Sequence, residues 1–265
     1  MYSRFQLLKK YLAYYTGASN GKGHGMHSPF LFDFITKILN DKTNYDSYQT
    51  VEVLRKQLLS NQTLLRIEDF GAGSATNKSN ERTISSIAKH AAKPPKYGKL
   101  LHRMVKTWQP NTILELGTSL GLTTSYLSLA APGAKIITME GAREVAAAAK
   151  KNFETLGLKN ITIEQGNFDT QLDDVLKKLP VVDFAFIDGN HRKEPTENYF
   201  HALLSHVGND SVLIFDDIHW SEGMEQAWKT IRSHPAVRCS VDLFFIGIVF
   251  FRQEFKEKQD FAIRF

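Results

Sequence analysis

Three short stretches carry residue types whose spacing could do chemistry. Val182-Val-Asp-Phe-Ala-Phe-Ile187 is a strand-like run with Asp188 just beyond its end, and Leu213-Ile-Phe215 is a second run followed by Asp216-Asp217. If the two runs are neighbouring strands, their tips lie about 5 Å apart. Three carboxylates so close repel one another unless a cation or a proton intervenes. Oxygen donors favour a hard ion such as Mg²⁺, so Asp188, Asp216 and Asp217 are candidate metal ligands. Without a metal, Asp188 would touch a cofactor or acceptor, and Asp216-Asp217 would cap a helix. In Asp188-Gly-Asn-His191-Arg-Lys, His191 either opens a helix or acts as a base, since an imidazole can take a hydroxyl proton near neutral pH. His191 and Asp188 are the candidate catalytic residues.

The third stretch is Ile113-Leu-Glu-Leu-Gly117-Thr-Ser-Leu-Gly121. An apolar strand runs into a glycine-bearing turn and then a helix. Glycines let backbone approach a ligand, and the helix N-terminus offers unpaired N–H groups. A second strand-like run ends at Glu140, where a carboxylate can accept both hydroxyls of a ribose. The turn reads Gly-x-x-x-Gly, which argues against a dinucleotide-dependent oxidoreductase with its Gly-x-Gly-x-x-Gly turn.

The stretch from Lys96 to Arg252 resembles the class I S-adenosylmethionine (SAM) dependent methyltransferases, and within them the metal-dependent catechol O-methyltransferase-like group. Glu115-Leu-Gly117-Thr-Ser-Leu-Gly121 resembles that family's first motif, and Met139-Glu140 its ribose-binding acid. The resemblance implies that Glu115, Gly117, Ser119, Gly121 and Thr123 surround the methionine part of SAM. It places Glu140 on the ribose, Gly166, Asn167 and Phe168 beside the adenine, and Asp188 against both cofactor and metal. In that family the third metal ligand is commonly an amide, whereas Asp217 is a carboxylate. The base there is a lysine three residues after the metal-binding Asp, a place that His191 occupies here. Asp-Gly-x-His is also similar to a broader branch acting on sugars and natural products. A second glycine-rich stretch, Asp69-Phe-Gly71-Ala-Gly73-Ser74, lacks a following strand that ends in an acid and reads as a loop.

These residues need a scaffold, and the pattern supplies one. Beyond residue 95, β-rich runs at Thr112–Leu116, Lys135–Met139, Ile161–Glu164, Val182–Ile187 and Ser211–Phe215 alternate with amphipathic helical stretches near 122–131, 143–156, 171–178, 194–206 and 222–233. Such alternation implies parallel strands with crossover helices. Arg238–Phe245 and Ile248–Arg252 are separated only by Ile246-Gly247, so this final pair should be an antiparallel hairpin. The expected fold is α/β: a doubly wound, mostly parallel, seven-stranded Rossmann-like sheet over residues 96–265. Residues 1–95 are expected to form a helical, substrate-covering segment, with helices near 2–15, 28–39, 50–59 and 81–92.

Composition sets the outer limits. With 265 residues, 42% of them hydrophobic, the chain can build one large α/β domain with an appendage. The net charge of +5 comes without a basic stripe of interleaved aromatics, and no Asn-Pro-Pro-aromatic sequence follows the fourth strand. No nucleic-acid partner is therefore expected. Cys239 is the one cysteine, so no intrachain bridge forms, which fits a reducing cytoplasm. The longest apolar run, Leu243 to Phe251, is too short to span a bilayer, and no membrane partner is expected. The functional expectation is divalent-metal-assisted O-methylation of a small-molecule hydroxyl. The alternatives are a metal-independent N- or S-methyltransferase and a non-catalytic SAM-binding module. The antiparallel edge could pair two copies into a homodimer.

Overall fold

The computed structural model describes residues 1–23, 28–67 and 81–265. His24, His27 and the Asp69–Ser74 stretch lie outside the described residues. The chain divides into two compact units, Met1–Asp41 with Leu172–Phe265, and Lys42–Gln171.

The first unit begins with helix α1 (Arg4–Gly17), started by a capping box. Ser3 Oγ accepts from the Gln6 N–H at 3.3 Å, and Gln6 Oε1 accepts from the Ser3 N–H at 2.8 Å. Both donors would otherwise be orphans of the first turn. Helix α2 (Pro29–Asp33) has proline in its first turn and runs on into a π-helical stretch, Phe34–Leu39.

The second unit holds α3 (Asp46–Ser60) and a small antiparallel pair, β1 (Leu64–Arg66) and β2 (Glu81–Thr83). Glu81–Thr83 is thus a strand rather than the start of a helix. Helix α4 (Ile84–His90) begins only after Thr83, whose side chain accepts from the Ser86 N–H and fixes the boundary. Helix α5 (Pro95–Trp108) was not anticipated. Pro94-Pro95 reads as the end of the preceding helix, but proline is equally suited to a first helical turn, and here Pro95 starts a helix that buries Leu100, Leu101, Met104 and Val105.

Next come β3 (Thr112–Leu116), α6 (Leu122–Ala130), β4 (Lys135–Glu140), α7 (Arg143–Thr155), β5 (Ile161–Gln165) and the first turn of α8 (Phe168–Leu176). β3, β4 and β5 are parallel and adjacent in that order. Tyr126 on α6 lies so close to α5 that a Cβ on Gly98 would sit 2.6 Å from its ring. Its hydroxyl donates to Glu52 Oε1 on α3 at 2.7 Å.

The first unit resumes with β6 (Phe184–Ile187), α9 (Lys193–Leu203), β7 (Val212–Asp216), α10 (Glu222–Ser233), β8 (Cys239–Asp242), β9 (Ile246–Phe250) and β10 (Gln259–Ala262). Its strand order is β10-β8-β9-β7-β6. β6 and β7 are parallel, and β9 runs antiparallel to both β7 and β8. Every residue of β6, β7 and β9 is buried, as a sheet covered on both faces requires.

The first unit contributes five of these mostly parallel strands and the second three, eight where seven were expected. The eighth, β10, pairs in parallel with β8. Its short, half-polar Gln-Asp-Phe-Ala sequence carries no strand signal of its own. The final hairpin is antiparallel as expected, but its turn is Leu243–Phe245, with Phe244 at φ 69°, and not Ile246-Gly247. Gly247 lies inside β9 opposite Asp242, and the Trp228 ring occupies the space its Cβ would need, 2.7 Å away. That glycine answers a packing demand rather than a turn.

Candidate active site

In the second unit, β3 delivers Glu115 to the sheet interior, where it is fully buried. Its Oε2 accepts from Thr138 Oγ1 on β4 at 2.6 Å and from Thr124 Oγ1 on α6. Thr138 Oγ1 also lies 2.6 Å from Thr118 Oγ1, so a chain of buried hydroxyls backs the carboxylate. Among the described residues its second oxygen, Oε1, is buried without a hydrogen-bond partner. Burial pushes the Glu115 carboxyl up to about 7, against the opposing pull of the Thr124 and Thr138 hydrogen bonds. A buried carboxylate oxygen with unused acceptor capacity suits a cationic group of a ligand.

The glycine turn follows directly. Gly117, Ser119 and Gly121 all have positive φ, at 106°, 48° and 78°. At Gly121 a Cβ would meet the Phe153 ring at 2.4 Å, so both backbone and packing demand glycine there. The backbone N–H groups of Gly117 and Thr118 donate to Met139 O and lock the turn onto the end of β4. Thr123 is half-buried in the first turn of α6, while its neighbour Thr124 makes the contact to Glu115.

Glu140, at the tip of β4, accepts from the Ser119 N–H at 2.8 Å through Oε2 and from the Ala142 N–H at 3.0 Å through Oε1. Burial raises its carboxyl above the ordinary range, and the backbone donors of Ala142, Ser119 and Gly141 oppose that. Each oxygen keeps lone-pair capacity for a further donor such as a diol. Beyond β5, the Gly166 N–H donates to Glu140 O, and Asn167 Oδ1 accepts from the Asp169 N–H at 2.9 Å. Asn167 thereby opens α8, and Phe168 is half-buried at its start.

In the first unit, Asp188 follows β6 and Asp216 ends β7. One potential ligand atom from each of Asp188, His191 and Asp216 lies within 4.8 Å of the other two. His191 Nε2 is 3.5 Å from Asp188 Oδ1. Asp216 is buried, and Asp188 and His191 are half-buried. Asn190 and His191 both have positive φ, at 66° and 25°, a conformation that persists only when its surroundings hold it. Asn190 Nδ2 donates to Tyr199 Oη at 3.0 Å, and its Oδ1 accepts from Arg192 Nε at 2.6 Å. Asp217 is not in this three-residue group. Its backbone is at φ 52°, with the N–H donating to Phe245 O at 2.7 Å and the carbonyl accepting from the Trp220 N–H at 2.9 Å.

His219 follows this acidic pair. It sits between two carboxylates, with Nδ1 2.9 Å from Glu225 Oε1 and Nε2 2.9 Å from Asp242 Oδ2, and stacks on Phe244 at 5.0 Å. Burial pulls its pKa down, but the hydrogen bonds to Asp242 and Glu225 outweigh that and leave it raised. Glu225 Oε2 also accepts from Lys10 Nζ and Tyr2 Oη, each at 2.8 Å. Residues from α1, α10 and β8 thus meet at the loop that follows Asp216. No local signal links Tyr2, Lys10, His219, Glu225 and Asp242. Thr138 is the partner of Glu115 that the sequence hints at, as a polar residue amid the apolar run Ile136 to Met139.

Residues 114–218 match the model of a methyltransferase domain family. A catechol O-methyltransferase of Niastella koreensis is 30% identical over 158 residues, covering 58% of this chain and 69% of that protein. Among solved structures, an SAH-bound methyltransferase of Podospora anserina shares the fold with a TM-score of 0.60 at 12% identity, over 85% of this chain and 97% of that one. An O-methyltransferase of Bacillus cereus in complex with SAH does so with a TM-score of 0.54 at 20% identity, over 83% and 97%. With the glycine turn, the buried Glu115 and the acid at the tip of β4, these likenesses establish that the chain belongs to the class I SAM-dependent methyltransferases, in their O-methyltransferase branch.

Proposed function

We propose that the protein methylates a hydroxyl group of a small-molecule acceptor and that a divalent cation held at Asp188 and Asp216 assists the reaction. The observation that carries this reading is the convergence of Asp188, His191 and Asp216 within 4.8 Å. Two carboxylates beside an imidazole form a donor set that suits a divalent ion. We keep Asp217, adjacent to Asp216, as a further oxygen donor. A cation bound there would lower the pKa of an acceptor hydroxyl, and SAM when bound would supply the methyl group.

The chain's own residues orient the partners and handle the proton. Glu115 Oε1 accepts from the ammonium of the cofactor's methionine part, and the turn from Gly117 to Gly121, with Ser119 and Thr123, shapes the same end. Glu140 accepts from the ribose hydroxyls, and Gly166, Asn167 and Phe168 flank the adenine. His191 takes the acceptor's proton at Nε2. Placing charge and orienting groups in this way are the main contributions an enzyme can make to such a transfer.

A second reading follows from the same grouping, in which His191 is itself a ligand. An imidazole donor shifts preference from Mg²⁺ toward ions such as Mn²⁺ or Zn²⁺. The test is turnover on a panel of catechols and simple alcohols after chelation, with Mg²⁺, Mn²⁺ or Zn²⁺ added back one at a time. Full activity in the chelated protein would remove the metal from the proposal. Restoration by Mg²⁺ favours the all-oxygen set, and restoration only by Mn²⁺ or Zn²⁺ favours His191 as ligand.

A further inference from the structure

Helix α1 touches its own unit along one side only. Tyr2, Leu7, Lys10, Tyr11 and Tyr14 are half-buried, while no residue of the helix is fully buried. Tyr2 and Lys10 bind Glu225, Tyr14 Oη donates to Ile263 O, and the Tyr11 ring meets Phe244 edge-on at 5.0 Å. The opposite side carries Phe5, Leu8, Leu12 and Tyr15, which are 64%, 53%, 55% and 48% exposed. Their spacing of three, four and three residues makes a continuous apolar stripe down the helix.

At about 100° per residue, Arg4 lies along one edge of this stripe and Lys9 along the other. Lys9 Nζ sits 4.6 Å from the Phe5 ring centroid, and the Arg264 guanidinium 4.8 Å from that of Tyr15. Before Asp33 the sequence carries Arg4, Lys9, Lys10 and Lys22 and no acidic residue.

We propose that α1 docks this enzyme onto an anionic lipid surface, lying in the plane of the headgroups with Phe5, Leu8, Leu12 and Tyr15 turned into the acyl boundary. Arg4, Lys9 and Arg264 then reach the lipid phosphates from the flanks of the stripe, as cationic side chains beside an apolar helix face do. Charge selects this occupant over a second copy of the chain. In a parallel helix pair built on this stripe, the Arg4 edge of each copy would lie beside the Lys9 edge of the other, and in an antiparallel pair Lys9 would face Lys9, with no acid of α1 to offset them. The stripe is also small for a dimer. Four side chains about half exposed offer on the order of 400 Å², against roughly 800 Å² per partner in a stable interface. Among the described residues no helix is long and apolar enough to cross a membrane. The proposed attachment is peripheral, along the helix surface and not through the bilayer.

The test is co-sedimentation of the 265-residue protein with vesicles of phosphatidylcholine alone and of phosphatidylcholine mixed with phosphatidylglycerol, together with sedimentation equilibrium without lipid. The expected result is binding to the anionic vesicles only, weakened about tenfold as salt rises from 0.05 to 0.5 M. The double substitution Leu8→Asp and Leu12→Asp should abolish binding while SAH affinity and melting temperature hold. Arg4→Glu with Lys9→Glu, which keeps the stripe intact, should remove the preference for anionic lipid. Failure to bind either vesicle at low salt, equal binding to both, or a dimer that the Leu8→Asp and Leu12→Asp pair dissociates would each overturn the proposal.

Discussion

Thr138 Oγ1 donates to Glu115 Oε2 at 2.6 Å across two neighbouring parallel strands, while the other oxygen of the same carboxylate is buried with no partner among the described residues. A buried acid half-satisfied by hydroxyls is poised between its charged and neutral forms. Its carboxyl is accordingly raised to about 7.

The first prediction concerns pH and stability. A carboxyl whose pKa is 4.5 unfolded and about 7 folded holds its proton more tightly in the folded state. Its contribution is greatest below pH 4.5 and is lost as pH rises to about 7, which makes the ligand-free protein about 3 kcal/mol less stable across that window. Urea denaturation between pH 5 and 8 should show this decline in the native protein. In Glu115→Gln the decline should be smaller by about that amount, the remainder coming from groups such as Glu140 and His219 whose pKa is also raised, and an unchanged slope in that variant would contradict the assignment.

A cationic ligand group at Oε1 would favour the ionised form. SAM should therefore bind about tenfold more tightly at pH 8 than at pH 6, with proton release at the lower pH. Calorimetry in two buffers of different ionisation enthalpy measures both. Glu115→Gln should bind weakly at either pH, and a pH-independent affinity in the native protein would count against contact between Glu115 and the ligand.

Thr138→Val removes a hydroxyl that joins Thr118 to Glu115 at nearly constant volume. Leaving buried acceptors short of a donor costs about 1–3 kcal/mol. The variant should also push the Glu115 carboxyl higher, so its pH dependence of SAM affinity should move to higher pH. A stability loss without that displacement would reduce Thr138 to a packing role.

Gly121→Ala combines a backbone at φ 78° with a Cβ only 2.4 Å from the Phe153 ring. Strain and overpacking together should cost about 2–4 kcal/mol. Phe153→Leu in the same chain should recover only part of the loss, because it makes room without relieving the backbone. Thermal melts of the three variants decide this, and full recovery would show that sterics alone demand the glycine.

At the acidic group, Asp188→Ala should abolish turnover. His191→Ala should depress turnover most at low pH, where hydroxide cannot stand in for a missing base. A pH–rate profile of His191→Ala parallel to that of the native enzyme would remove the base role.

Much of the scaffold was legible because its signals are local. β3 with its glycine turn, α6 and β4 with its terminal acid are written as an apolar run, a glycine-bearing break and a helical period, and α10 begins at Glu222 as its pattern indicates. Elements with weak local patterns were missed. Pro94-Pro95 hid the start of α5, β10 is a four-residue edge strand, and Gly247 resembled a turn although it is a strand residue cleared for Trp228.

The sequence by itself determined which chemistry the chain holds: a glycine turn after Glu115, an acid at Glu140, and Asp188, His191 and Asp216-Asp217 at the ends of apolar runs. Tertiary structure alone decided which of these side chains converge. It grouped His191 with Asp188 and Asp216, gave Glu115 its threonine partners, and tied Tyr2 and Lys10 of α1's N-terminal region to Glu225 and through it to His219. The reason is physical. Hydrophobic period and turn chemistry act over a few residues, whereas the distance between side chains far apart in sequence is set by strand register and by how the elements pack.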